Sequence, residues 1–171
     1  AVGLDPEGAY GLVTLHRPAH VDDPRAVAAL VVALKEVAGT LPLVFPVHPR
    51  GRAAFEQAGL TSIAGVTVVD PLGYIEFVSL MRGAALVVTD SGGVQEETTV
   101  LRVPCITVRP NTERPITITH GTNRLSTVED LPAAARAALA AGAPPADRVP
   151  PLWDGRAGQR IAEVLAAWLD G

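Results

Sequence analysis

The sequence predicts an α/β domain built on a Rossmann-like parallel sheet with helices on both faces. Short apolar runs alternate along the chain with longer segments whose apolar residues recur at helical spacing. The runs are apolar almost without interruption, which is typical of strands that are buried on both sides. The chain has 171 residues, of which 48% are hydrophobic, so it is long and apolar enough to bury the core of one ordinary domain.

The predicted strands and helices follow one another in a regular order. The strands are short and rich in β-branched residues, and they cover residues 11–15, 43–47, 66–69, 85–89 and 104–108, with a short sixth strand at 124–126. The helices cover residues 22–38, 50–58, 74–81 and about 128–140, and a further helix begins close to Ser91.

The end of the chain departs from this alternation. Several prolines exclude a regular helix there, namely Pro144, Pro145, Pro150 and Pro151. The apolar residues that follow fall on one helical face, and they are Ile161, Val164, Leu165, Trp168 and Leu169. We therefore expect a Rossmann-like domain over residues 1–141, a proline-rich linker over 142–155 and a terminal amphipathic helix over 156–171.

Composition argues against several classes of protein. The net charge is −4 and no run of Lys and Arg stands out, so a nucleic-acid partner is not expected. No apolar run approaches the length of about 20 residues that spans a membrane, and the first residues do not resemble a signal peptide. A single cysteine, Cys105, excludes an internal disulfide and suits a reducing compartment, so we expect a cytoplasmic protein.

Polar residues follow the first four predicted strands at the point where each ends. They are His16, His48, Asp70 and Asp90. In a parallel sheet all carboxyl ends lie at one edge, and ligands of open α/β sheets bind outside that edge. Each residue alone could be an ordinary strand end entering a polar turn, but the four together predict a crevice that binds a ligand.

The segment VVTDSGGVQEE at residues 87–97 runs from a predicted strand into a predicted helix. Adjacent glycines let the backbone turn and approach a ligand closely. The first amides of a helix lack internal partners and lie at the positive end of the helix dipole, so they favour an oxyanion. Of the two acids that follow, Glu96 and Glu97, each could complement the dipole or accept hydrogen bonds from a ribose. Phosphate on the amides and ribose on an acid together predict a nucleotide site.

Other motifs with similar chemistry do not fit. The chain has neither the G-x-x-x-x-G-K-[ST] of a P-loop nor a G-x-G-x-x-G after its first strand. Chymotrypsin-like proteases also carry the letters DSGG, but they are all-β proteins with a different arrangement. His16 and His20 are four residues apart, but Pro18 lies between them, so we expect no metal site there. His20 is expected in a solvated loop and Cys105 in the core.

An ordered set of short motifs runs through nearly the whole chain: LHR at 15–17, PVHP at 46–49, DPLGYIEF at 70–77, TDSGGVQEE at 89–97, TERP at 112–115, GTNRL at 121–125 and WDGRAGQRIAEVL at 153–165. This set resembles the non-hydrolysing UDP-N-acetylglucosamine 2-epimerases. Members of that family have two domains in a glycosyltransferase-B-like fold. The resemblance covers only the carboxyl-terminal half, so it implies that the amino-terminal half of the parent enzyme is absent from this chain.

The resemblance also implies roles for residues around the diphosphate. Ser91, Gly92 and Gly93 would hold the diphosphate of UDP, in agreement with the amide argument. Glu97 would bind the ribose hydroxyls, which chooses between the two glutamates. Arg114 would contact the ligand near its phosphates.

Further roles implied by the resemblance lie elsewhere along the same edge. Phe77 would line the uracil pocket, and His16 would contact the phosphate that leaves the sugar during catalysis. Arg17 and His48 stand where some bacterial members bind a second, activating UDP-sugar.

The family reaction interconverts UDP-GlcNAc and UDP-ManNAc by anti elimination of UDP and its re-addition, with no cofactor. The resemblance implies an isomerase of bacterial cell-wall or polysaccharide biosynthesis that works as a homodimer at full length. The carboxylates that move the C2 proton lie in the other half, so the isolated chain is expected to bind UDP without epimerising.

Four positions depart from the family pattern, namely Ala19, His20, Ile116 and Arg102, which stands where a glycine is usual before the fifth strand. These departures bear on the region around the sugar, on the allosteric contacts and on activity. Two alternatives therefore stay open. One is the UDP-sugar-binding half of a glycosyltransferase, and the other is a non-catalytic UDP-binding module. A hydrolysing UDP-GlcNAc 2-epimerase is a close variant of the non-hydrolysing epimerase that the motifs resemble.

Overall fold

A computed structural model describes residues 8–145 and 148–169 of the chain. These residues form one sheet of six parallel strands in the order β3-β2-β1-β4-β5-β6. The strands are β1 (Gly11–Thr14), β2 (Leu43–Pro46), β3 (Val66–Val69), β4 (Leu86–Thr89), β5 (Cys105–Val108) and β6 (Asn123–Ser126). The strand order reverses between β1 and β4, which places a ligand-binding crevice outside their carboxyl ends.

Helices connect the strands, and several begin at a proline. Pro18, Pro24 and Pro49 each occupy the first turn of a helix, where the missing N–H costs nothing. The helices are α1 (Pro18–Val21), α2 (Pro24–Ala38), α3 (Pro49–Gln57), α4 (Tyr74–Gly83), α5 (Gly92–Leu101), α6 (Ile116–Thr119), α7 (Leu131–Ala141) and α8 (Ala157–Leu169), and a 3-10 turn covers Leu60–Ser62.

The sheet separates two hydrophobic cores, because successive side chains of a strand point to opposite faces. Leu12 of β1 and Val87 of β4 belong to the core that includes Met81 of α4. Their neighbours in sequence belong to the other core, which includes residues of α2, α3 and α7; in the strands it contains Val13, Phe45, Val88 and Ile106. Helices therefore cover both faces, and the predicted Rossmann-like sheet is confirmed.

The predicted strands agree with the observed ones within one residue at each end. The first predicted helix, which is α2 in the structure, begins at Pro24 and not at residue 22, because the carboxylate of Asp23 accepts a hydrogen bond from the amide of Arg25 and caps it. Two helices were not predicted, α1 and α6. Each has four residues, which is too short to show a helical period.

The last two helices bracket the proline-rich stretch. Helix α7 ends at Ala141, and α8 has no buried residue. Within the described ranges, no helix is both long enough and apolar enough to cross a membrane. Residues 1–7, 146–147 and 170–171 lie outside the described residues. The prediction that the first residues are not a signal peptide therefore falls largely outside the structure. The division into domain, linker and terminal helix stays a prediction.

Candidate functional site

The carboxyl edge of the sheet brings three of the four polar strand ends together. Asp90 follows β4 directly, and His16 follows β1, its neighbour in the sheet. The rings of His16 and His48 have centroids 6.2 Å apart. Asp70 does not join the other three polar residues. Its exposed carboxylate pairs with Arg52 instead, and Nη2 of Arg52 lies 2.5 Å from Oδ1 of Asp70. The edge therefore presents a site around β1 and β4, with β2 beside it.

A groove opens between β1, β2 and the start of α4. Phe77 is half-buried there and packs against the core that contains Leu12. The residues that line the groove are Thr14, His16, Pro46, His48, Pro71, Leu72 and Phe77. An aromatic ring beside prolines and a leucine can accept the flat face of a base, so the predicted position of Phe77 in a uracil pocket is compatible with its surroundings.

Asp90 is the centre of the hydrogen bonding at the switch point of the sheet. Its side chain is fully buried. Oδ2 accepts hydrogen bonds from the backbone amides of Arg17, at 2.9 Å, and His16, at 3.1 Å. The same oxygen lies 2.8 Å from Nδ1 of His20, and Oδ1 lies 3.1 Å from Nδ1 of His16. One carboxylate thus fixes the turn after β1 together with both of its histidines.

Two opposing effects act on the pKa of Asp90. Burial raises it, since a charged carboxylate loses its hydration. The hydrogen bond with His20 and those from the amides of Arg17 and His16 favour the ionised form, as does the charge of His16. These interactions outweigh burial and hold the pKa of Asp90 below its ordinary value. Asp90 is therefore a buried anion at neutral pH.

The position of His20 corrects the expectation of a solvated loop residue. It lies in α1, and its side chain is only 12% exposed because it packs against Asp90. The sequence contains a partial signal, since an i, i+4 pair of histidines surrounds Pro18. The signal was misleading because the shared partner, Asp90, is 70 residues away in the chain.

Helix α5 begins two residues after Asp90. Gly92 and Gly93 are its first residues, and Ser91 precedes them with an extended backbone. The hydroxyl of Ser91 does not cap the helix, and the first turn contains no acidic residue. The first amides of α5 therefore lack side-chain acceptors at their own helix end, which favours an anionic ligand.

The two glutamates of α5 differ in their surroundings. The carboxylate of Glu96 lies 2.9 Å from Nε of Arg114. Glu97 is half-buried and forms no ion pair with any residue that the structure describes. Both residues lie beyond the first turn, so complementarity with the helix dipole does not account for them. Of these two glutamates, Glu97 is therefore the one whose carboxylate can accept hydrogen bonds from the hydroxyl groups of a ligand.

The side chain of Gln95 connects the start of α5 with the two segments that follow β5. Gln95 was not predicted from the sequence to be part of the site. Its Nε2 donates to the carbonyl oxygen of Ser91, at 3.1 Å. Its Oε1 accepts from Oγ1 of Thr112, at 2.6 Å, and from Nδ2 of Asn123, at 3.0 Å. Thr112 in turn accepts from the amide of Arg114. The motifs TDSGGVQEE, TERP and GTNRL are thus joined through one buried amide side chain.

Arg17 and His48 make separate contacts in the structure. The Nε of Arg17 donates to the carbonyl oxygen of Asp90, at 2.8 Å, and its Nη2 lies 3.3 Å from Oε1 of Glu113. His48 caps α3, since its Nδ1 accepts from the amide of Arg50 at 3.2 Å. Arg17 therefore lies on the α5 side of the crevice, whereas His48 lies on the β2 side.

Cys105 is a core residue, as predicted. It is buried in β5, and burial raises the pKa of its thiol to about 11. A thiol with that pKa is protonated at neutral pH, so Cys105 is not a nucleophile.

Comparison with known proteins identifies the family to which the chain is similar. A sequence model of the family described as UDP-N-acetylglucosamine 2-epimerase matches residues 2–166. A curated relative from Pseudomonas aeruginosa, UDP-2,3-diacetamido-2,3-dideoxy-D-glucuronate 2-epimerase, is 39% identical over 168 residues, which are 96% of this chain and 46% of the relative.

Solved structures give the same result. The UDP-GlcNAc 2-epimerase of Methanocaldococcus jannaschii superposes with a TM-score of 0.81 at 35% identity, over 97% of this chain and 47% of that one. The same enzyme in complex with UDP-GlcNAc and UDP gives a TM-score of 0.78 at 35% identity, over 94% of this chain and 46% of that one.

The chain spans about half the length of the curated relatives and solved structures that it matches over most of its length. Its fold is that of one half of a glycosyltransferase-B-like epimerase. Since the family model matches nearly all of its residues, the chain belongs to the UDP-N-acetylglucosamine 2-epimerase family.

Proposed function

We propose that this chain is the UDP-binding half of a UDP-sugar 2-epimerase. The observation that carries the proposal is the start of α5, where two glycines at the switch point of the sheet present uncapped helix amides. The complex of a relative with UDP-GlcNAc and UDP supports the same ligand class.

The proposed binding of the nucleotide uses residues on both sides of Asp90. Ser91, Gly92 and Gly93 hold the diphosphate, and Glu97 accepts hydrogen bonds from the ribose hydroxyls. Arg114 contacts the phosphates. The pairing of Arg114 with Glu96 supports this position, because it keeps the guanidinium beside α5.

The remaining roles involve the other wall of the crevice. Phe77 packs on the uracil, and the groove that contains Phe77 and His16 supports this placement. Arg17 and His48 are proposed contacts of a second, activating UDP-sugar. For Arg17 a role beside the diphosphate has equal support, since it lies next to Asp90 and Glu113.

His16 is the proposed catalytic residue of this half. Nδ1 of His16 lies 3.1 Å from Oδ1 of Asp90, and this ion pair orients the ring, so that a protonated ring can donate from Nε2 to the phosphate oxygen of departing UDP. The buried carboxylate of Asp90 balances the charge of that imidazolium. Stabilisation of a growing negative charge by fixed donors is what the elimination of UDP requires.

We propose UDP-GlcNAc and UDP-ManNAc as the pair that is interconverted. The relative from Pseudomonas aeruginosa, which matches 96% of the chain, favours a UDP-linked diacetamido glucuronate as a second candidate. Homodimerisation at full length and a cytoplasmic location belong to the same proposal, and the single buried thiol is compatible with a reducing compartment. Relatives occur in archaea as well as in bacteria, so a bacterial source does not follow from the resemblance.

A proton-exchange experiment tests the proposal that this chain binds UDP and that another part of the protein moves the C2 proton. The 171-residue chain is incubated in D₂O with UDP-GlcNAc, and NMR follows both ligand binding and deuterium at C2. We expect binding that depends on the phosphates, with uridine far weaker than UDP, and no exchange at C2. Rapid exchange by this chain alone would contradict the placement of the C2 base in another part of the protein, and equal binding of uridine and UDP would contradict the diphosphate site.

A further inference from the structure

The carboxylate of Glu113 lies at the mouth of α5, where the diphosphate is proposed to bind. A Cβ atom added to Gly92 would be 2.7 Å from Oε1 of Glu113, so this oxygen rests directly against the first residue of the helix. Glu113 belongs to the TERP motif but is not one of the residues proposed to contact the nucleotide. A negatively charged group at this place competes with any anionic ligand.

Two arginines hold the Glu113 carboxylate in this position. Nη2 of Arg17 lies 3.3 Å from Oε1, and Nη1 of Arg109 lies 2.8 Å from Oε2. Arg17 is itself fixed, since its Nε donates to the carbonyl oxygen of Asp90. The hydrogen bond from its own amide, and then that from Arg109, hold the pKa of Glu113 below its usual range, so it is charged at neutral pH.

The Glu113 side chain can leave without disturbing the loop that carries it. It is 43% exposed, so it can turn into solvent. The backbone beside it is anchored independently, because Oγ1 of Thr112 bonds to Gln95 and accepts from the amide of Arg114. The carboxylate can therefore move while Arg114 and the start of α5 stay in place.

We propose that Glu113 is an internal stand-in for the ligand phosphates, which occupies the anion site of the free protein and must swing out for a diphosphate to bind. Its departure frees Arg17 and Arg109 to pair with the phosphates. This proposal rests on the proposed function of the same site. Glu113 then sets the affinity of the site and favours ligands with enough negative charge to displace it.

The test compares Glu113→Gln with Glu36→Gln, which removes the same charge from an exposed position on α2. Glu36 lies near the end of α2, in a different part of the chain from the TERP motif and the start of α5. Calorimetry measures the binding of UDP, pyrophosphate and uridine to the wild-type chain and to both variants. We expect Glu113→Gln to bind UDP and pyrophosphate roughly tenfold more tightly than the wild type does. Glu36→Gln should match the wild type.

The other outcomes separate the two proposals. If the wild type binds UDP and Glu113→Gln binds it equally or more weakly, the stand-in role is wrong and the nucleotide site remains. If Glu113→Gln gains affinity for uridine as well, the effect does not act on the phosphates and the stand-in role is again wrong. If none of the three proteins binds UDP or pyrophosphate, the proposed function fails and the role of Glu113 fails with it.

Discussion

Asp90 shows how one residue can organise a site that is assembled from distant parts of the chain. Its carboxylate receives the amides of His16 and Arg17 and lies within hydrogen-bond distance of both nearby imidazoles. Hydrogen bonds to a buried charge are stronger than those between neutral groups, and leaving such donors unpaired is costly. The carboxylate of Asp90 thus stabilises the turn after β1.

Replacing Asp90 with Asn should lower the unfolding free energy and remove the part of its pH dependence that Asp90 contributes. Asn has one acceptor oxygen and no charge, so we expect Asp90→Asn to lose about 2–3 kcal/mol of unfolding free energy at neutral pH. The folded pKa of Asp90 lies below its ordinary value, so its contribution is present above that value, 3.8, and is lost as the pH falls through the folded pKa.

Urea unfolding of both proteins from about pH 6 downward checks this prediction. The stability difference between wild type and Asp90→Asn should shrink as the pH falls below about 4. Asp22, Glu113 and Asp154 also have lowered pKa values, but they are present in both proteins and cancel in the difference. A difference that stays constant with pH would contradict the account of Asp90.

Gly93 allows ligand binding and stability to be separated. A Cβ atom at Gly93 would meet nothing closer than Oγ of Ser91, at 3.9 Å. Gly93→Ala should therefore raise the unfolding free energy by about 0.5 kcal/mol, because alanine restricts the unfolded chain. The methyl group would stand in the proposed diphosphate site, so we expect UDP to bind at least about tenfold more weakly.

Gly158→Ala is a matched control for that change. Gly158 is the second residue of α8, as Gly93 is of α5, and open space surrounds it. Thermal unfolding should show a similar gain in both variants, whereas calorimetry should show a loss of UDP binding only in Gly93→Ala. Unchanged UDP affinity in Gly93→Ala would mean that the diphosphate does not approach this glycine.

The site depends on how helix α5 is joined to the segments around it. Gln95 lies fully buried between the start of α5, the loop before α6 and strand β6. Thr107 continues the network, since its Oγ1 donates to Oδ1 of Asn123 at 2.7 Å. A buried polar network of this kind stabilises only while every member is satisfied. The three segments should therefore hold their relative positions together.

Gln95→Met tests the contribution of this hydrogen-bond network to stability, because methionine is similar in size to glutamine. Met cannot accept from Thr112 or Asn123 in the same way, so we expect a loss of about 2–3 kcal/mol in unfolding free energy, measured in urea. Gln159→Met on the exposed surface of α8 is the control and should change stability little. A loss below about 0.5 kcal/mol in Gln95→Met would show that the network contributes only packing.

The elements also show what the sequence can and cannot predict. The strands were placed well because buried parallel strands are continuous apolar runs, as at Val87 and Val88. The start of α5 and the ligand class proposed for it could be inferred from Gly92 and Gly93, because helix-end chemistry is local. His20 and Gln95 were missed, since their partners lie 70 and 28 residues away and only the folded chain brings them together.

At the scale of the whole molecule, the order of strands locates the site and the last helix leaves an apolar face uncovered. The reversal between β1 and β4 puts His16 and Asp90 side by side. Helix α8 has no buried residue, and Trp168 is 75% exposed. Its exposed apolar residues are Ile161, Val164, Leu165, Trp168 and Leu169. Contiguous apolar surface of this kind favours association.

We expect the 171-residue chain to self-associate through α8 as its concentration rises. Leu165→Glu with Trp168→Glu should shift it towards monomers, because charges on the apolar face oppose its burial. Ala166→Glu adds a charge to the opposite face of α8 and should leave association unchanged. Sedimentation velocity over a range of concentrations measures both. A wild-type chain that stays monomeric throughout would contradict this prediction.

The carboxyl edge beside α5 is proposed to bind UDP through the helix amides and Glu97. The most direct measurement is calorimetric titration of UDP into the 171-residue chain and its Glu97→Ala variant, with Glu163→Ala on α8 as the control. The account predicts one UDP per chain, affinity lowered by at least about tenfold in Glu97→Ala and unchanged affinity in Glu163→Ala. Absence of binding at millimolar UDP, or binding that survives Glu97→Ala undiminished, would contradict it.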